Sequence, residues 1–282
     1  MKTVMEECAK QLIEEGRVIK KVSAEEIELT NKVKKGYRDF LERHNTLESR
    51  ALWQLNRAGE QKPDSGLIRK KGANPTDTNK GRSHEDKWSF HYGFFLRKLL
   101  NLNSVALESD DLIFLDNNQA LFDHSKMDIL ELARAVDESH RYPVSLSEPI
   151  RQCYENPEPY SAAINRSLHY PSQEQTQRAR THVDRSIITR HMGDKGGYLY
   201  MTDSEESNDL HNISPKQDEV LLFWGVKAYV LTKGDIKPMW HGSKAAEGEV
   251  RESIIHFCHI NTDEVINDPM VAYRKYQEIF AG

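Results

Sequence analysis

The sequence predicts an α+β protein in which N-terminal helices and a C-terminal helix flank a double-stranded β-helix, which is a distorted jelly roll. Apolar residues recur at helical spacing in much of the first 140 residues. After Ser161 the chain changes to segments rich in β-branched and aromatic residues, separated by turn residues, as in jelly rolls. The predicted strands are residues 164–170, 180–192, 197–201, 220–232 and 250–260.

Helices are predicted in three places before these strands. The first runs from Val4 to about Gly16, and the third runs from Ser125 to about His140. The second begins at Ser23, because Ser23 and Glu26 have the spacing of a capping box. Its predicted buried residues are Ile27, Val33, Tyr37, Phe40 and Leu41, and those of the third helix are Ile129, Leu132, Ala133 and Val136.

A long loop is predicted for residues 58–87, which hold several glycines and prolines among polar residues. Within it, we expect residues 64–69 to lie near a substrate. A closing helix is predicted after Pro269, with Asp268 as its N-cap. Overall, we expect residues 1–150 to be a helical region that packs on the core and supplies a substrate-side wall, and residues 151–282 to form that core.

The composition favours a small-molecule enzyme of the cytoplasm. Mean hydropathy is −0.72, and no stretch approaches the roughly 20 apolar residues that span a bilayer. The first residues are acidic where a signal peptide would be apolar. Lys and Arg number 39 against 44 Asp and Glu, which argues against a nucleic-acid partner. The three cysteines show no Cys-x-x-Cys spacing, so we expect reduced thiols. We also expect a monomer.

Three residues have the chemistry of a mononuclear iron site. His182 and Asp184 are separated by one residue, so their side chains would share one face of a strand. His241 follows far enough along the chain for several strands to intervene. Two imidazoles and one carboxylate leave adjacent positions open on the ion, as in non-haem Fe(II) oxygenases. We predict that these three residues are the metal ligands and the catalytic residues.

Arg251 and Ser253 are also two residues apart on a predicted strand. A guanidinium can bind both oxygens of a carboxylate, and a serine hydroxyl can donate a further hydrogen bond. The other end of the same organic acid could then chelate the metal. The implied co-substrate is 2-oxoglutarate, with O2 at the remaining position.

These residues and their surroundings resemble the isopenicillin N synthase-like family of 2-oxoglutarate/Fe(II)-dependent oxygenases. The segment from His182 to Asp194 resembles the ligand strand of that family, with Thr189 and Asp194 at matching offsets. Further matches are Gly225, Thr232, Gly234 and Lys237 before His241, residues 166–171, and residues 85–92. Two positions depart from the pattern, because Leu168 replaces an asparagine and Gly242 replaces a basic residue.

The resemblance implies that Tyr170 helps to hold 2-oxoglutarate, and that a small molecule is oxidised, by hydroxylation above all, with release of succinate and CO2. Because halogenating relatives lack the carboxylate, Asp184 favours hydroxylation, desaturation or ring closure. Phe257 stands where nucleic-acid demethylases have a second arginine, which disfavours that branch.

Candidates for the substrate pocket come from positions beside the predicted ligands. Whichever of Arg190 and His191 faces the cavity could orient a polar or anionic substrate. Tyr198 or Tyr200 could line the pocket, although core packing is the alternative. Ile68 could contribute from the long loop.

Several other motifs favour structural interpretations. A second His-x-Asp, at His84, lies in a polar segment and is predicted to be solvated surface. His256 and His259 would face opposite sides of a strand, and Gly193, Gly196 and Gly197 predict a turn rather than a phosphate loop.

Two alternative functions stay open. An oxidase or cyclase of the isopenicillin N synthase type would use no 2-oxoglutarate and would bind the carboxylate of its substrate at Arg251 and Ser253. A non-catalytic jelly-roll binding protein would not bind iron. Formation of succinate distinguishes the oxygenase from the oxidase, and iron binding distinguishes both from the binding protein.

Overall fold

The computed structural model describes residues 3–55, 65–70, 87–155, 163–172, 177–245, 247–258 and 269–281. The helices are α1 (Val4–Glu15), α2 (Ala24–Arg43), α3 (Leu47–Ala51), α4 (Leu96–Leu102), α5 (Ser109–Glu138), α6 (Ser147–Glu155), α7 (Val226–Leu231) and α8 (Pro269–Ala281). The strands are β1 (Arg17–Lys21), β2 (Gln54–Leu55), β3 (Ser65–Lys70), β4 (Lys87–Gly93), β5 (Ala163–Tyr170), β6 (Gln177–His182), β7 (Ile188–Lys195), β8 (Tyr198–Thr202), β9 (His211–Asn212), β10 (Glu219–Trp224), β11 (Trp240–Lys244) and β12 (Arg251–Cys258).

The larger sheet is antiparallel and has the strand order β1, β10, β7, β12, β5, β4, β3, β2. Helices α2 and α5 cover one of its faces. The aromatic centre of this layer is formed by Phe40 of α2, Phe90 of β4 and Phe114 of α5, whose ring centroids lie 4.8–5.4 Å apart. Burial of such rings accounts for much of the driving force that holds the helices on the sheet.

The smaller sheet has the order β6, β11, β8, β9 and packs against the other face of the larger sheet. Apolar side chains from both sheets fill one end of the space between them, namely Leu199, Ile213, Leu221, Phe223 and Met239. The predicted α+β class with a jelly-roll core and flanking helices is confirmed.

The first 150 residues supply strands to the larger sheet as well as helices. Strand β1 extends it beside β10, and β4, β3 and β2 extend it beside β5. None of the helices in the described ranges is long and apolar enough to cross a membrane.

The predicted helices near the N-terminus are observed, with one difference in capping. The Ser23 side chain accepts a hydrogen bond from the backbone of Glu26 at 3.2 Å. The carboxylate of Glu26 does not complete the capping box, because it pairs with the buried guanidinium of Arg190. Helix α5 begins at Ser109, well before the predicted start at Ser125. Its polar first half still buries Phe114 and Leu121 at helical spacing.

Several sequence predictions of strands and loops are wrong in detail. The loop predicted for residues 58–87 contains β3, which pairs with β4; residues 58–64 and 71–86 lie outside the described residues. The strand predicted for residues 220–232 ends at Trp224 and continues as α7. A short apolar run does not distinguish a strand from a buried helix. The strand predicted for residues 180–192 is two strands, β6 and β7.

Candidate active site

The three predicted metal ligands lie together at one end of the space between the sheets. His182 is the last residue of β6 and is paired with His241 of β11. The Nε2 atom of His182 lies 3.5 Å from Oδ1 of Asp184, and Nε2 of His241 lies 3.6 Å from Oδ2. One ligand atom from each residue falls within 4.8 Å of the others. This is the arrangement of a facial triad, with space for one ion.

Both imidazoles have the orientation that metal ligation requires. Nδ1 of His182 lies 2.7 Å from the carbonyl oxygen of Arg180, and Nδ1 of His241 lies 3.1 Å from that of Met239. A carbonyl oxygen only accepts hydrogen bonds, so each Nδ1 donates its proton. When the rings are neutral, the lone pair of each is on Nε2 and faces Asp184, which is the usual arrangement of histidine ligands.

Asp184 lies in the connection between β6 and β7, and not on the same strand as His182 as the sequence predicts. Its position is fixed by hydrogen bonds instead. The backbone carbonyl of Asp184 accepts a hydrogen bond from the N–H of Val226 at 2.8 Å, and Oδ2 accepts one from Thr189 at 2.7 Å. Gly225 lies against the same connection, and a Cβ there would be 2.2 Å from the carbonyl oxygen of Ser186.

The electrostatics of the triad keep its donor atoms available to a cation. Burial alone would raise the pKa of Asp184, but the two histidines and the Thr189 hydroxyl outweigh it and hold that pKa well below its usual range. Burial lowers the pKa of His241 to about 4, against the opposing effect of Asp184. At neutral pH the aspartate is therefore ionised and His241 is neutral.

The predicted 2-oxoglutarate residues lie on one face of the larger sheet. Arg251 is paired with Tyr170 of β5, and its Cζ lies 5.5 Å from the centroid of the tyrosine ring. The hydroxyl of Tyr170 accepts a hydrogen bond from Lys87 at 3.2 Å. Nε of Arg251 and Oγ of Ser253 are buried and have no hydrogen-bond partner within the described part of the chain. Buried polar groups normally have partners, so this pair of donors is suited to a ligand.

A β-bulge brings Asp194 to the same place. Between Glu252 and Ile254 the register of β7 shifts by one residue, next to Gly193, which has a φ of 65°. The extra residue turns the Asp194 side chain toward the space between the sheets. There its Oδ1 lies 2.6 Å from Nη2 of Arg251.

Residues 148–260 match the sequence profile of the 2OG-Fe(II) oxygenase superfamily. This region belongs to that superfamily. It includes all six residues predicted for the metal and for 2-oxoglutarate, and the protein is an enzyme of the non-haem Fe(II)- and 2-oxoglutarate-dependent class. No curated protein sequence matches the chain.

Solved structures of similar fold extend over nearly the whole oxygenase. A full-length Neurospora crassa protein in complex with α-ketoglutarate superposes with a TM-score of 0.67 at 18% identity, covering 92% of this chain and 80% of the Neurospora protein. AtDAO1, a dioxygenase for auxin oxidation from Arabidopsis thaliana, gives 0.65 at 16% identity, covering 93% and 91%. A candidate oxygenase from Shewanella oneidensis gives 0.65 at 15% identity, covering 98% and 95%. At these identities, the similarity establishes the fold.

Two of the predicted pocket residues of the oxygenase lie on the same face of the larger sheet as Arg251 and Ser253. Residues paired directly across strands share a face of the sheet. Ile68 is paired with Ser89, Ser89 with Leu168, and Leu168 with Ser253. His191 is paired with Ile255, which is two residues from Ser253 on β12. Ile68 and His191 thus remain candidates for substrate contact.

The other predicted pocket residues lie elsewhere. Arg190 points to the opposite face of the larger sheet, where it pairs with Glu26 of α2 and Asp128 of α5. Tyr200 is paired with Gly242 and Tyr198 with Lys244, so both tyrosines lie on the outer face of the smaller sheet, away from His241. A single residue of strand register decides the face of every side chain, and here it assigns the cavity-facing position of the Arg190 and His191 pair to His191 and both tyrosines to the outer face.

The structure shows the surroundings of Gly242 and Leu168, the two positions that depart from the family pattern. At Gly242 a Cβ would be 2.3 Å from the hydroxyl oxygen of Tyr200, so a basic side chain does not fit. Leu168 is buried between Ser89 and Ser253 and offers no hydrogen bond. Of the motifs with structural interpretations, His256 is buried and bonded to Tyr154 and Asn165, whereas His84 and His259 lie outside the described residues.

Proposed function

We propose that the protein hydroxylates a small-molecule substrate, using Fe(II), 2-oxoglutarate and O2 and releasing succinate and CO2. The observation that carries this proposal is that the Nε2 atoms of His182 and His241 converge on the carboxylate of Asp184. The Nδ1 atom of each imidazole is bonded to a backbone carbonyl, and Oδ2 of Asp184 accepts a hydrogen bond from Thr189. A donor set of two imidazoles and one carboxylate suits Fe(II) and leaves positions open for a chelating acid and for O2.

In this proposal, His182, Asp184 and His241 hold the metal. Thr189 donates to Oδ2 of Asp184, which orients the carboxylate, and the two backbone carbonyls orient the imidazoles. The bound metal together with 2-oxoglutarate and O2 supplies the oxidising chemistry, in which one oxygen atom enters the substrate and the other enters succinate.

Arg251, Ser253 and Tyr170 bind the distal carboxylate of 2-oxoglutarate. Arg251 offers a planar fork, and the Oγ of Ser253 is a buried donor on the same face of β12. The resulting ion pair has directional hydrogen bonds in a place where water is excluded, so it is stronger than a surface pair.

The substrate approaches from the side of His182. The side chain of His182 is 32% exposed, whereas those of Asp184 and His241 are 8% and 6% exposed. Solvent therefore reaches the triad at His182, on the strand that forms one edge of the smaller sheet among the described residues. The substrate then lies against the row formed by Ile68, Ser89 and Leu168, with His191 on the same face of the larger sheet.

An anaerobic titration tests the proposal. The full-length protein is loaded with Fe(II), 2-oxoglutarate is added, and the visible charge-transfer band of the chelate is recorded. Candidate small molecules are then screened for a change in this band, and O2 is admitted to measure succinate and oxidised product. We expect succinate and product in equal amounts.

Variants connect these signals to the triad. D184A and H241A should abolish the band and succinate formation. The matched control is H211A, because His211 is a half-exposed histidine on β9 outside the site. Product without succinate would instead support an oxidase, and absence of Fe(II) binding would support a non-catalytic binding protein.

A further inference from the structure

Helix α2 and the end of strand β7 border a cavity of about 540 Å³. Among the described residues that line it, four are cationic, namely Lys34, Lys35 and Arg38 of α2 and Lys195 of β7. One described lining residue, Asp194, is anionic. The lining thus carries an excess of positive charge, which favours an anion as the ligand of this cavity.

Two of the four cations have carboxylate partners within the protein. Lys35 forms an ion pair with Asp39, one turn further along α2. Nη1 of Arg38 lies 2.6 Å from Oε2 of Glu252 on β12. Since both charges are already compensated, they contribute less to the attraction of a ligand than an unpaired cation would.

The other two cations are Lys34 and Lys195. Within the described part of the chain, their side chains form neither a hydrogen bond nor an ion pair. The carboxylate of Asp194 does not neutralise them, because it is paired at 2.6 Å with Arg251, which does not line the cavity. Buried polar groups normally have partners, and an anion in the cavity would be the partner of these two ammonium groups.

The side chain of Lys34 lies against the β-bulge of β7. Gly193 has a φ of 65°, and a Cβ there would lie 2.6 Å from Nζ of Lys34 and 3.0 Å from Cγ2 of Thr30. The position of the ammonium group therefore depends on the absence of a side chain at Gly193. Lys34 is partly buried in this position. The bulge that places Asp194 beside Arg251 thus also makes room for an unpaired ammonium group at the cavity.

The electrostatics of Lys34 agree with this geometry. Burial lowers its pKa to about 8, although Asp194 and Glu252 oppose this effect. The positive charges of Lys195 and Arg38 lower the pKa further. The surroundings therefore destabilise the protonated side chain, as expected for a buried charge without a partner. An anion bound beside Nζ would offset this cost and raise the pKa again.

We propose that this cavity binds the phosphate group of a small molecule, with Lys34 and Lys195 as its cationic ligands. Two ammonium groups match the double negative charge of a phosphate monoester, and each has three donors for a tetrahedral group of oxygen atoms. The amides of Asn31 and Gln217 also line the cavity and can donate further hydrogen bonds. The volume leaves space for the rest of the molecule. This proposal goes beyond the proposed function and does not depend on it.

Calorimetry tests the site, with glycerol 3-phosphate as the probe. The full-length protein is supplied with Fe(II) and 2-oxoglutarate under anaerobic conditions, so that the phosphate does not bind at the metal or at Arg251. We expect the wild type to bind the probe with a millimolar or lower Kd. K34M should weaken binding at least tenfold, and K195Q at least threefold, because water screens the exposed Lys195.

Inorganic phosphate distinguishes the two sources of such a group. Tighter binding of glycerol 3-phosphate identifies a phosphorylated small molecule as the ligand and supports the proposal. Tighter or equal binding of inorganic phosphate identifies the free ion as the ligand instead, and overturns the part of the proposal that concerns the rest of the molecule.

K32Q is the matched control, since Lys32 is an exposed lysine of α2 that does not line the cavity. It should bind the probe as the wild type does. Absence of binding by the wild type, or binding within twofold of the wild type by both K34M and K195Q, overturns the proposal. K34M should also bind 2-oxoglutarate within twofold of the wild type. A parallel loss of both ligands would assign Lys34 to holding Asp194 and overturn the proposal as well. If K34M does not fold, K195Q decides.

Discussion

The guanidinium of Arg251 and the carboxylate of Asp194 form a buried ion pair, with Nη2 2.6 Å from Oδ1. The other carboxylate oxygen lies 3.1 Å from Nε2 of His191. Burial would raise the pKa of Asp194, but Arg251 and His191 outweigh it and hold that pKa well below its usual range. The bulge at Gly193 thus places the ionised carboxylate of Asp194 beside Arg251, which is proposed to bind 2-oxoglutarate. This ion pair holds the guanidinium of Arg251 in position before the ligand binds.

The first prediction concerns the stability of this pair without ligand. In D194N the buried Arg251 loses its anionic partner, which typically costs about 3–5 kcal/mol in the free energy of unfolding. Urea unfolding of D194N, R251M and the double variant measures this cost. We expect the double variant to lose clearly less than the sum of the two single losses, since neither charge is then left alone. Strict additivity would contradict a direct interaction.

The second prediction concerns the connection that carries Asp184. In G225A the new Cβ would lie 2.2 Å from the carbonyl oxygen of Ser186 and 2.8 Å from that of Asp184. Backbone atoms must move to relieve these contacts, so the carboxylate shifts relative to His182 and His241. We expect at least a tenfold weaker affinity for Fe(II), measured by anaerobic titration.

The control for G225A is G248A. Gly248 has a φ of 77°, but a Cβ there meets nothing within 4 Å. G248A should therefore lose about 1 kcal/mol of stability through backbone strain and keep its Fe(II) affinity. Wild-type Fe(II) affinity in G225A would show that the position of Asp184 does not depend on this close approach.

The third prediction separates Arg190 from the substrate pocket. Arg190 donates from Nε to Asp128 at 3.0 Å and pairs with Glu26, both on the helix-covered face of the larger sheet. R190M leaves Glu26 without its buried cation, whereas Asp128 keeps its ion pair with Lys20, and we expect a loss of about 3–5 kcal/mol in the free energy of unfolding. Affinity for 2-oxoglutarate and substrate should stay within twofold of the wild type.

R134M provides the comparison, because Arg134 is exposed on α5. It should change stability by less than about 0.5 kcal/mol. A large change in substrate affinity for R190M, at temperatures where the variant is fully folded, would contradict this prediction and indicate that Arg190 contributes to the substrate pocket.

The residues of the proposed metal site could be predicted from the sequence because only a few types of side chain bind Fe(II). His182, Asp184 and His241 are of these types and occur at a spacing compatible with a mononuclear site. The predicted route to that geometry is wrong, however, since Asp184 follows β6 rather than lying on it. Its place depends on the hydrogen bond from Val226, which lies on a distant segment that no local pattern connects to Asp184.

The pocket residues could not be predicted with the same success because they depend on strand register. Tyr198 and Tyr200 alternate correctly with their neighbours, but the pairing of Tyr200 with Gly242 assigns them to the outer face. Helix α5 is longer than predicted, since the acidic and amide side chains before Ser125 obscure its apolar spacing.

The last prediction concerns acid stability and His256 of β12, whose side chain lies on the face of that strand opposite to Arg251 and Ser253. Its ring is fully buried, with Nδ1 2.7 Å from Oδ1 of Asn165 and Nε2 2.8 Å from the hydroxyl of Tyr154. Burial, and then the positive charge of Arg190, lower its pKa to about 3. An unfolded histidine has a pKa near 6.5. The unfolded state therefore binds a proton that the folded state rejects, and stability is full above about pH 6.5 and declines as the pH falls toward 3.

His256 alone should contribute a slope of about 1.4 kcal/mol per pH unit in this window. In H256Q, which keeps a polar side chain but does not titrate, the slope of the free energy of unfolding between pH 6 and pH 4.5 should be smaller by about that amount. H211Q, at a half-exposed histidine, should keep the wild-type slope. Equal slopes in H256Q and the wild type would show that His256 is protonated in the folded protein, and its hydrogen bond to Tyr154 would then have the tyrosine oxygen as the acceptor.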